Sequence, residues 1–170
     1  MKNEWKTVDS LASRLAERFP ETPDVFLVLG SGLGPVADTL KERISFPLSD
    51  FKDLPISTVQ GHAGMLHQGK LGHKTVLVQQ GRVHLYEGYS PKEVVRLLRA
   101  ATVRGASTII LTNAAGSINA SLRPGSLMLI DDHINLTGTS PLLGLNDNSR
   151  GPRFRGRGRQ RAGLGATPPP

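Results

Sequence analysis

The 170-residue chain contains no cysteine, which excludes a disulfide framework and a zinc site built on thiolates. It also lacks any apolar run near the roughly 18 residues that a membrane-spanning helix needs. The first ten residues, MKNEWKTVDS, have no apolar segment typical of a secretory signal. Because 38% of the residues are hydrophobic, we expect a folded, soluble and cytoplasmic protein rather than a disordered chain.

The formal net charge of +7 suggests an acidic partner such as nucleic acid. Four of the 21 basic residues lie in the acid-free segment 155–170, RGRGRQRAGLGATPPP, which leaves 17 basic against 14 acidic residues elsewhere. That segment has no apolar periodicity and none of the aromatic residues that stack on bases. We therefore predict one domain over residues 1–154 and a disordered Arg/Gly/Pro tail over 155–170, with nucleic-acid binding as a weak alternative.

Apolar periodicity predicts alternating helices and strands. Residues 7–19 have the spacing of an amphipathic helix, and a further helix begins near Val36. Four short apolar runs predict strands, at 24–29, 74–80, 107–112 and 126–131. This alternation indicates an α/β fold with a mostly parallel central sheet, whose ligands bind beyond the carboxyl ends of the strands.

The strongest helix signal lies between the second and third of these strands. Ser90 is a good N-cap, Glu93 completes a capping box, and Gly105 ends the helix. The apolar side chains follow one helical face, so we expect the basic residues to point outward, namely Arg96, Arg99 and Arg104.

Three motifs follow predicted strands. The first, Gly30-Ser31-Gly32, offers main-chain N–H groups and a hydroxyl to an anion. Pro35 stands where a dinucleotide-binding turn needs its third glycine, and no P-loop Gly-Lys-Ser/Thr follows. A plain tight turn is the alternative for this motif.

The second motif is QGRVHLYEGY, at 80–89. In extended backbone Arg82, His84 and Tyr86 share one face, where a guanidinium and an imidazole can clamp a tetrahedral oxyanion. Tyr86 suits a sugar, and Glu87 is placed to orient or charge His84. The alternative is an exposed, solvated strand end.

The third motif is TNAAGS, at 112–117. Its small residues leave main-chain N–H groups free to donate to an anion. The alternative is a close-packed turn between the strand and the next loop. His62, His67 and His73 suggest a metal set, but no Asp or Glu lies between Gln60 and Lys74 to support it. We place only His62 near a site.

Together and in this order, the motifs closely resemble the low-molecular-mass, trimeric purine nucleoside phosphorylases over about residues 1–154. The GRVHLYEGY string is the most specific element. The related methylthioadenosine phosphorylases share the fold but usually carry another string there. The matching segments are LGSGLG at 29–34, GHAG at 61–64, GRVHLYEGY at 81–89, TNAAG at 112–116, PGSLMLIDDHINLTG at 124–138 and PLLGLND at 141–147.

The resemblance implies a three-layer phosphorylase/hydrolase-like fold and the phosphorolysis of purine nucleosides to free base and (deoxy)ribose 1-phosphate in purine salvage. It implies a homotrimer that needs no cofactor or metal. By resemblance, His84 and Glu87 are catalytic. The implied phosphate ligands are Ser31, His62, Arg82, His84 and the backbone at Ala115. The implied ribose and base contacts are Tyr86, Ala114, Gly116 and Phe154, the last reaching into the neighbouring subunit.

The sequence departs from the family beyond Phe154. The tail 155–170 looks like a translation in another reading frame, because Arg, Gly, Ala and Pro have GC-rich codons. In the family, the base-reading Glu and Asn, a second phosphate serine and ribose-contacting Met and His come later in the chain. A catalytically inactive fragment that retains the phosphate half of the site is therefore an alternative, and base preference stays open.

Overall fold

The computed structural model describes residues 4–57 and 64–153. The helices are α1 (Glu4–Arg18), α2 (Pro91–Val94) and α3 (Arg96–Val103). The strands are β1 (Val25–Leu29), β2 (Lys41–Pro47), β3 (Met65–Leu71), β4 (Lys74–Gln80) and β5 (Thr108–Leu111). Within this described part of the chain, no helix is long and apolar enough to cross a membrane.

The strands form one sheet in the order β2-β3-β4-β1-β5. β1 pairs in parallel with β4 and β5, whereas β3 is antiparallel to both β2 and β4. The α/β class is confirmed, with a mixed sheet whose parallel part consists of the three strands that the sequence predicted. β1 lies between β4 and β5, and its VFLVL run is buried on both faces, as its continuous apolar sequence predicted.

Two apolar clusters cover the sheet. One face packs on α1 and α3, and the predicted spacing of α1 is confirmed by its buried residues Val8, Leu11 and Leu15, followed by Phe19. On the other face, Ala37 and Leu40 cover buried side chains of β1 and β4. Burial of this kind stabilises by roughly 25 cal/mol per Å² of apolar surface removed from water.

The segment after β1 differs from its prediction. The helix expected from Val36 is a short 3-10 helix, Gly34–Thr39, and the chain then enters β2 at Lys41. β2 and β3 were both missed. β2 is an edge strand with largely exposed side chains, and β3 buries the polar residues His67 and Gln68, so neither reads as an apolar run.

The helix that begins at Ser90 has the predicted cap. Ser90 Oγ accepts a hydrogen bond from the Glu93 N–H, and the Glu93 carboxylate accepts from the Ser90 N–H. The helix is interrupted at Val95, where φ is −94° and ψ is 4°. Gly105 follows its end with a φ of +107°, a value that favours glycine.

The expectation that the three arginines point outward is wrong, because each guanidinium bonds to a residue outside its own helix. Arg96 Nε donates to Glu4 Oε1 at 2.8 Å, which joins α3 to α1. Arg99 donates to the Pro141 carbonyl at 3.0 Å, and Arg104 donates to the Phe19 carbonyl at 2.7 Å.

The strand expected at 126–131 is also absent from the described structure. Four apolar side chains there are exposed, namely Leu127 (91%), Met128 (63%), Leu129 (81%) and Ile130 (53%). A strand needs a hydrogen-bonding neighbour as well as an apolar sequence, and in the described chain β5 pairs with β1 alone. The apolar run therefore stays outside the sheet.

Candidate functional site

A cleft of about 330 Å³ lies at the carboxyl ends of β1 and β4. These ends meet because the two strands are parallel neighbours. The volume is within the range of small-molecule sites, about 300–1,000 Å³. Three predicted phosphate ligands, Ser31, Arg82 and His84, line it. The full lining is Leu29, Gly30, Ser31, Gly32, Gly34, Met65, Gln80, Gly81, Arg82 and His84.

The glycine turn after β1 forms one wall. The Leu33 N–H donates to the Gly30 carbonyl at 3.1 Å, and Gly32 has a φ of +83°. Gly30 lies so close to the end of β5 that a Cβ there would be 2.6 Å from the Thr112 carbonyl oxygen. Beyond Gly30, the exposed residue Ser31 borders the cleft. This arrangement suits an anion, which main-chain N–H groups can approach closely.

Arg82 forms another wall of the cleft. It is half-buried, and its Nη1 donates to the Thr112 carbonyl at 2.7 Å. A guanidinium carries five N–H donors, so this bond fixes its position without exhausting its capacity. The permanent charge and planar donors of arginine match a tetrahedral oxyanion.

His84 begins the 3-10 turn Leu85–Glu87 beside Arg82. Its main-chain N–H donates to Glu87 Oε1 at 2.7 Å, and the hydroxyl of Ser57 donates to Glu87 Oε2 at 3.0 Å. The Glu87 carboxylate therefore orients the His84 backbone. The extended backbone expected through Tyr86 is not present, because β4 ends at Gln80 and Leu85–Glu87 form a 3-10 turn. Tyr86, 77% exposed, nevertheless stacks on the His84 ring, with centroids 4.9 Å apart and an angle of 11°.

A row of hydrogen-bonded polar side chains behind the cleft was not predicted from the sequence. Gln80 Oε1 lies 2.8 Å from His67 Nε2, and His67 Nδ1 lies 2.7 Å from the Ser45 hydroxyl. In a neutral ring, an acceptor at Gln80 Oε1 assigns the proton to Nε2 and leaves Nδ1 to accept from the Ser45 hydroxyl. His67 is only 4% exposed, so both ring nitrogens are used inside the fold. Among residues 4–57 and 64–153, no group of His, Asp and Glu could hold a metal ion.

The remaining predicted site residues lie elsewhere. Ala114, Ala115 and Gly116 follow β5, are exposed, and do not line the cleft. Their roles as phosphate and base contacts stay predictions. His62 and Phe154 lie outside the described residues, so their roles also stay predictions.

Comparison with known proteins gives the family context. A family model described as the phosphorylase superfamily matches residues 24–169. Purine nucleoside phosphorylase 1 of Geobacillus stearothermophilus is 48% identical over 147 residues, which are 86% of this chain and 54% of that protein. Purine nucleoside phosphorylase of Mus musculus is 41% identical over 159 residues, 91% of this chain and 55% of that protein. The chain thus spans about half the length of these relatives.

Solved structures of purine nucleoside phosphorylases are also similar to this chain over about half of their length. Schistosoma mansoni purine nucleoside phosphorylase in complex with BCX-34 superposes with a TM-score of 0.79 at 34% identity, over 89% of this chain and 56% of that one. Isoform 2 from the same organism, with cytosine and ribose-1-phosphate, gives 0.80 at 35% identity, over 88% and 54% of the two chains. The family match reaches residue 169, so the separation of the tail 155–170 from the domain stays a prediction.

Proposed function

This chain belongs to the phosphorylase superfamily, and we propose that it is the N-terminal part of a purine nucleoside phosphorylase. The observation that carries the proposal is the cleft that gathers Ser31, Arg82 and His84 from segments far apart in sequence. These residue types bind a tetrahedral oxyanion, and orthophosphate is the oxyanion that phosphorolysis consumes.

The proposed reaction uses phosphate in two ways. A phosphate oxygen forms a bond to C1′ of the nucleoside while the C1′–N9 bond breaks and its electron pair leaves with the purine, which takes up a proton. A clamped phosphate beneath the sugar stabilises the positive charge that develops on the ribose and supplies the nucleophile in position. Arg82 and Ser31 hold the phosphate, and the His84 ring adds a donor. The Glu87 carboxylate holds the His84 backbone, and Tyr86 stacks on the His84 ring.

The other contacts in this proposal come from the family resemblance. Tyr86 contacts the ribose, and the stacking of its ring on His84 supports a position for Tyr86 beside the phosphate ligands. Ala114, Gly116 and Phe154 contact ribose and base, and Ala115 and His62 complete the phosphate site. The substrates are orthophosphate and a purine nucleoside, in a cytoplasmic homotrimer that acts in purine salvage.

A second candidate is a phosphate-binding fragment without turnover. It is favoured by the length of the match, since the chain spans about half of its relatives. By resemblance, the residues that read the base and protonate it belong to the other half. Loss of contacts made in the transition state lowers turnover rather than affinity alone. A methylthioadenosine phosphorylase is a weaker alternative, because the GRVHLYEGY string differs from the one usual in that family.

The test measures phosphate binding and turnover separately on the 170-residue chain. Inorganic phosphate is titrated by calorimetry, and inosine and guanosine are assayed with phosphate. Arg82→Ala should weaken phosphate binding by about 10- to 100-fold, since a hydrogen bond to a charged group contributes about 1.5–3 kcal/mol. Arg43→Ala is the matched control, because Arg43 lies on the edge strand β2 and bonds Asp38.

The outcomes separate the candidates. Phosphate binding with turnover supports the phosphorylase, whereas binding without turnover supports the fragment. Equal phosphate affinity in Arg82→Ala and Arg43→Ala would show that the clamp has been assigned to the wrong residues.

A further inference from the structure

We propose that Thr112 is a positioning residue that holds the two walls of the phosphate cleft in place from the end of β5. This inference rests on the proposed function of the cleft as a phosphate site. Thr112 is half-buried and does not line the cleft itself, so it acts through Gly30 and Arg82.

Thr112 reaches the glycine turn through its side chain. The hydroxyl accepts the Gly30 N–H at 2.8 Å and donates to the Val28 carbonyl at 2.8 Å. The Thr112 N–H donates to the same carbonyl at 3.1 Å, which continues the pairing of β5 with β1. A hydroxyl can donate and accept at once, and here both functions are used on β1 and its turn.

Thr112 reaches the other wall through its main chain. Its carbonyl accepts from Arg82 Nη1 at 2.7 Å. One residue thus bonds Gly30, 82 positions away, and Arg82, 30 positions away. The separation between the glycine turn and the guanidinium is therefore set by two bonds to a single residue.

The Gly30 bond also ties the start of the glycine turn to the end of β5. Ser31 and Gly32, which follow Gly30, line the cleft, so their position depends on where this bond holds the turn. Without the hydroxyl, the Gly30 N–H loses its partner and the turn is free to rotate. Pairing between β1 and β5 persists without the hydroxyl, so we expect such a variant to stay folded while its phosphate binding weakens.

The experiment replaces the Thr112 hydroxyl with a methyl group and keeps the shape of the side chain. Thr112→Val removes both side-chain hydrogen bonds, whereas Thr112→Ser keeps them. Thr108→Val makes the same change at an exposed position of the same strand and is the matched control. Inorganic phosphate is titrated into each 170-residue variant by calorimetry, and unfolding is followed in urea.

The expected result is a selective loss of affinity. A neutral hydrogen bond contributes about 0.5–1.5 kcal/mol, so Thr112→Val should bind phosphate about 3- to 10-fold more weakly. Thr112→Ser and Thr108→Val should stay within about twofold of the parent chain. The rescue by serine is the readout that a purely structural role of the side-chain volume would not produce.

Several results would overturn the inference. Folded Thr112→Val with unchanged phosphate affinity would do so, as would a loss in Thr112→Ser equal to that in Thr112→Val. If Thr112→Val fails to fold, Thr112→Ala takes its place, and unfolding of both would make Thr112 a structural residue only. If the parent chain itself binds no phosphate, the proposed function fails first and this inference falls with it.

Discussion

Replacing Gly30 with alanine tests the close approach between the ends of β1 and β5. The added Cβ would lie 2.6 Å from the Thr112 carbonyl oxygen, 2.9 Å from Asn113 Cα and 3.0 Å from the Thr112 carbonyl carbon. All three neighbours are main-chain atoms, so no side chain can rotate away. Since comfortable contacts between carbon atoms lie near 3.5–4.0 Å, the two strand ends must separate by roughly 1 Å.

The magnitude follows from two effects. Overpacking of this kind costs about 1–3 kcal/mol. The separation also stretches the 2.8 Å bond from the Gly30 N–H to the Thr112 hydroxyl, which contributes about 1 kcal/mol. We therefore expect Gly30→Ala to lower the free energy of unfolding by roughly 2–4 kcal/mol, a large part of the 5–15 kcal/mol typical of a domain.

Urea unfolding measures the effect, with Gly116→Ala as the control. A Cβ at Gly116 would meet no atom within 4 Å, so its free energy of unfolding should change by less than about 0.5 kcal/mol. Phosphate affinity should fall in Gly30→Ala. A Gly30→Ala variant as stable as Gly116→Ala would refute the reasoning, because it would mean that the two strand ends do not meet as closely as the structure has them.

Three further predictions concern stability and surface. Ser90→Ala should lower the free energy of unfolding by about 1 kcal/mol at pH 7. Hydrogen bonds from Ser90 hold the pKa of Glu93 below its ordinary 4.5, so this contribution is complete above pH 4.5, and the difference between variant and parent should shrink at pH 3. His67→Leu should cost about 1–3 kcal/mol in urea unfolding, because Gln80 loses its partner. Leu129→Ser should reduce binding of a hydrophobic fluorescent dye without lowering stability, since that side chain is 81% exposed.

Strands whose sequence is an apolar run were predicted, and the other strands were not. β4 has the bounds that its apolar run predicted, Lys74–Gln80, because both of its faces are covered. β2 was missed because an edge strand with exposed side chains has no apolar pattern to read. β3 was missed because its buried His67 and Gln68 satisfy their polar groups through hydrogen bonds to Ser45, Gln80 and Glu21, which no local pattern reports.

The prediction of a strand at 126–131 was wrong for the opposite reason. Its sequence is as apolar as that of a buried strand, yet the described chain gives it no neighbour to pair with. An apolar pattern predicts that a segment prefers burial, but not that a partner is present.

The sequence predicted those cleft-lining residues that have a recognisable functional type and follow the end of a predicted strand. Ser31, Arg82 and His84 could be named because each follows a readable strand. The proposed role of Thr112 could not be predicted, since its hydroxyl bonds a residue 82 positions away and any β-branched residue would suit the strand equally well.

The bond between Thr112 and Gly30 also links ligand binding to the order in which the sheet assembles. β5 leaves the ribosome last among the sheet strands of the described chain, so the cleft walls are tied together only once it has docked on β1. A ligand that binds the completed cleft binds only the assembled sheet. Phosphate at about 100 times its dissociation constant would therefore favour the assembled state by about 2.7 kcal/mol. Inorganic phosphate would then act as a folding ligand for this chain, whether or not any nucleoside is cleaved.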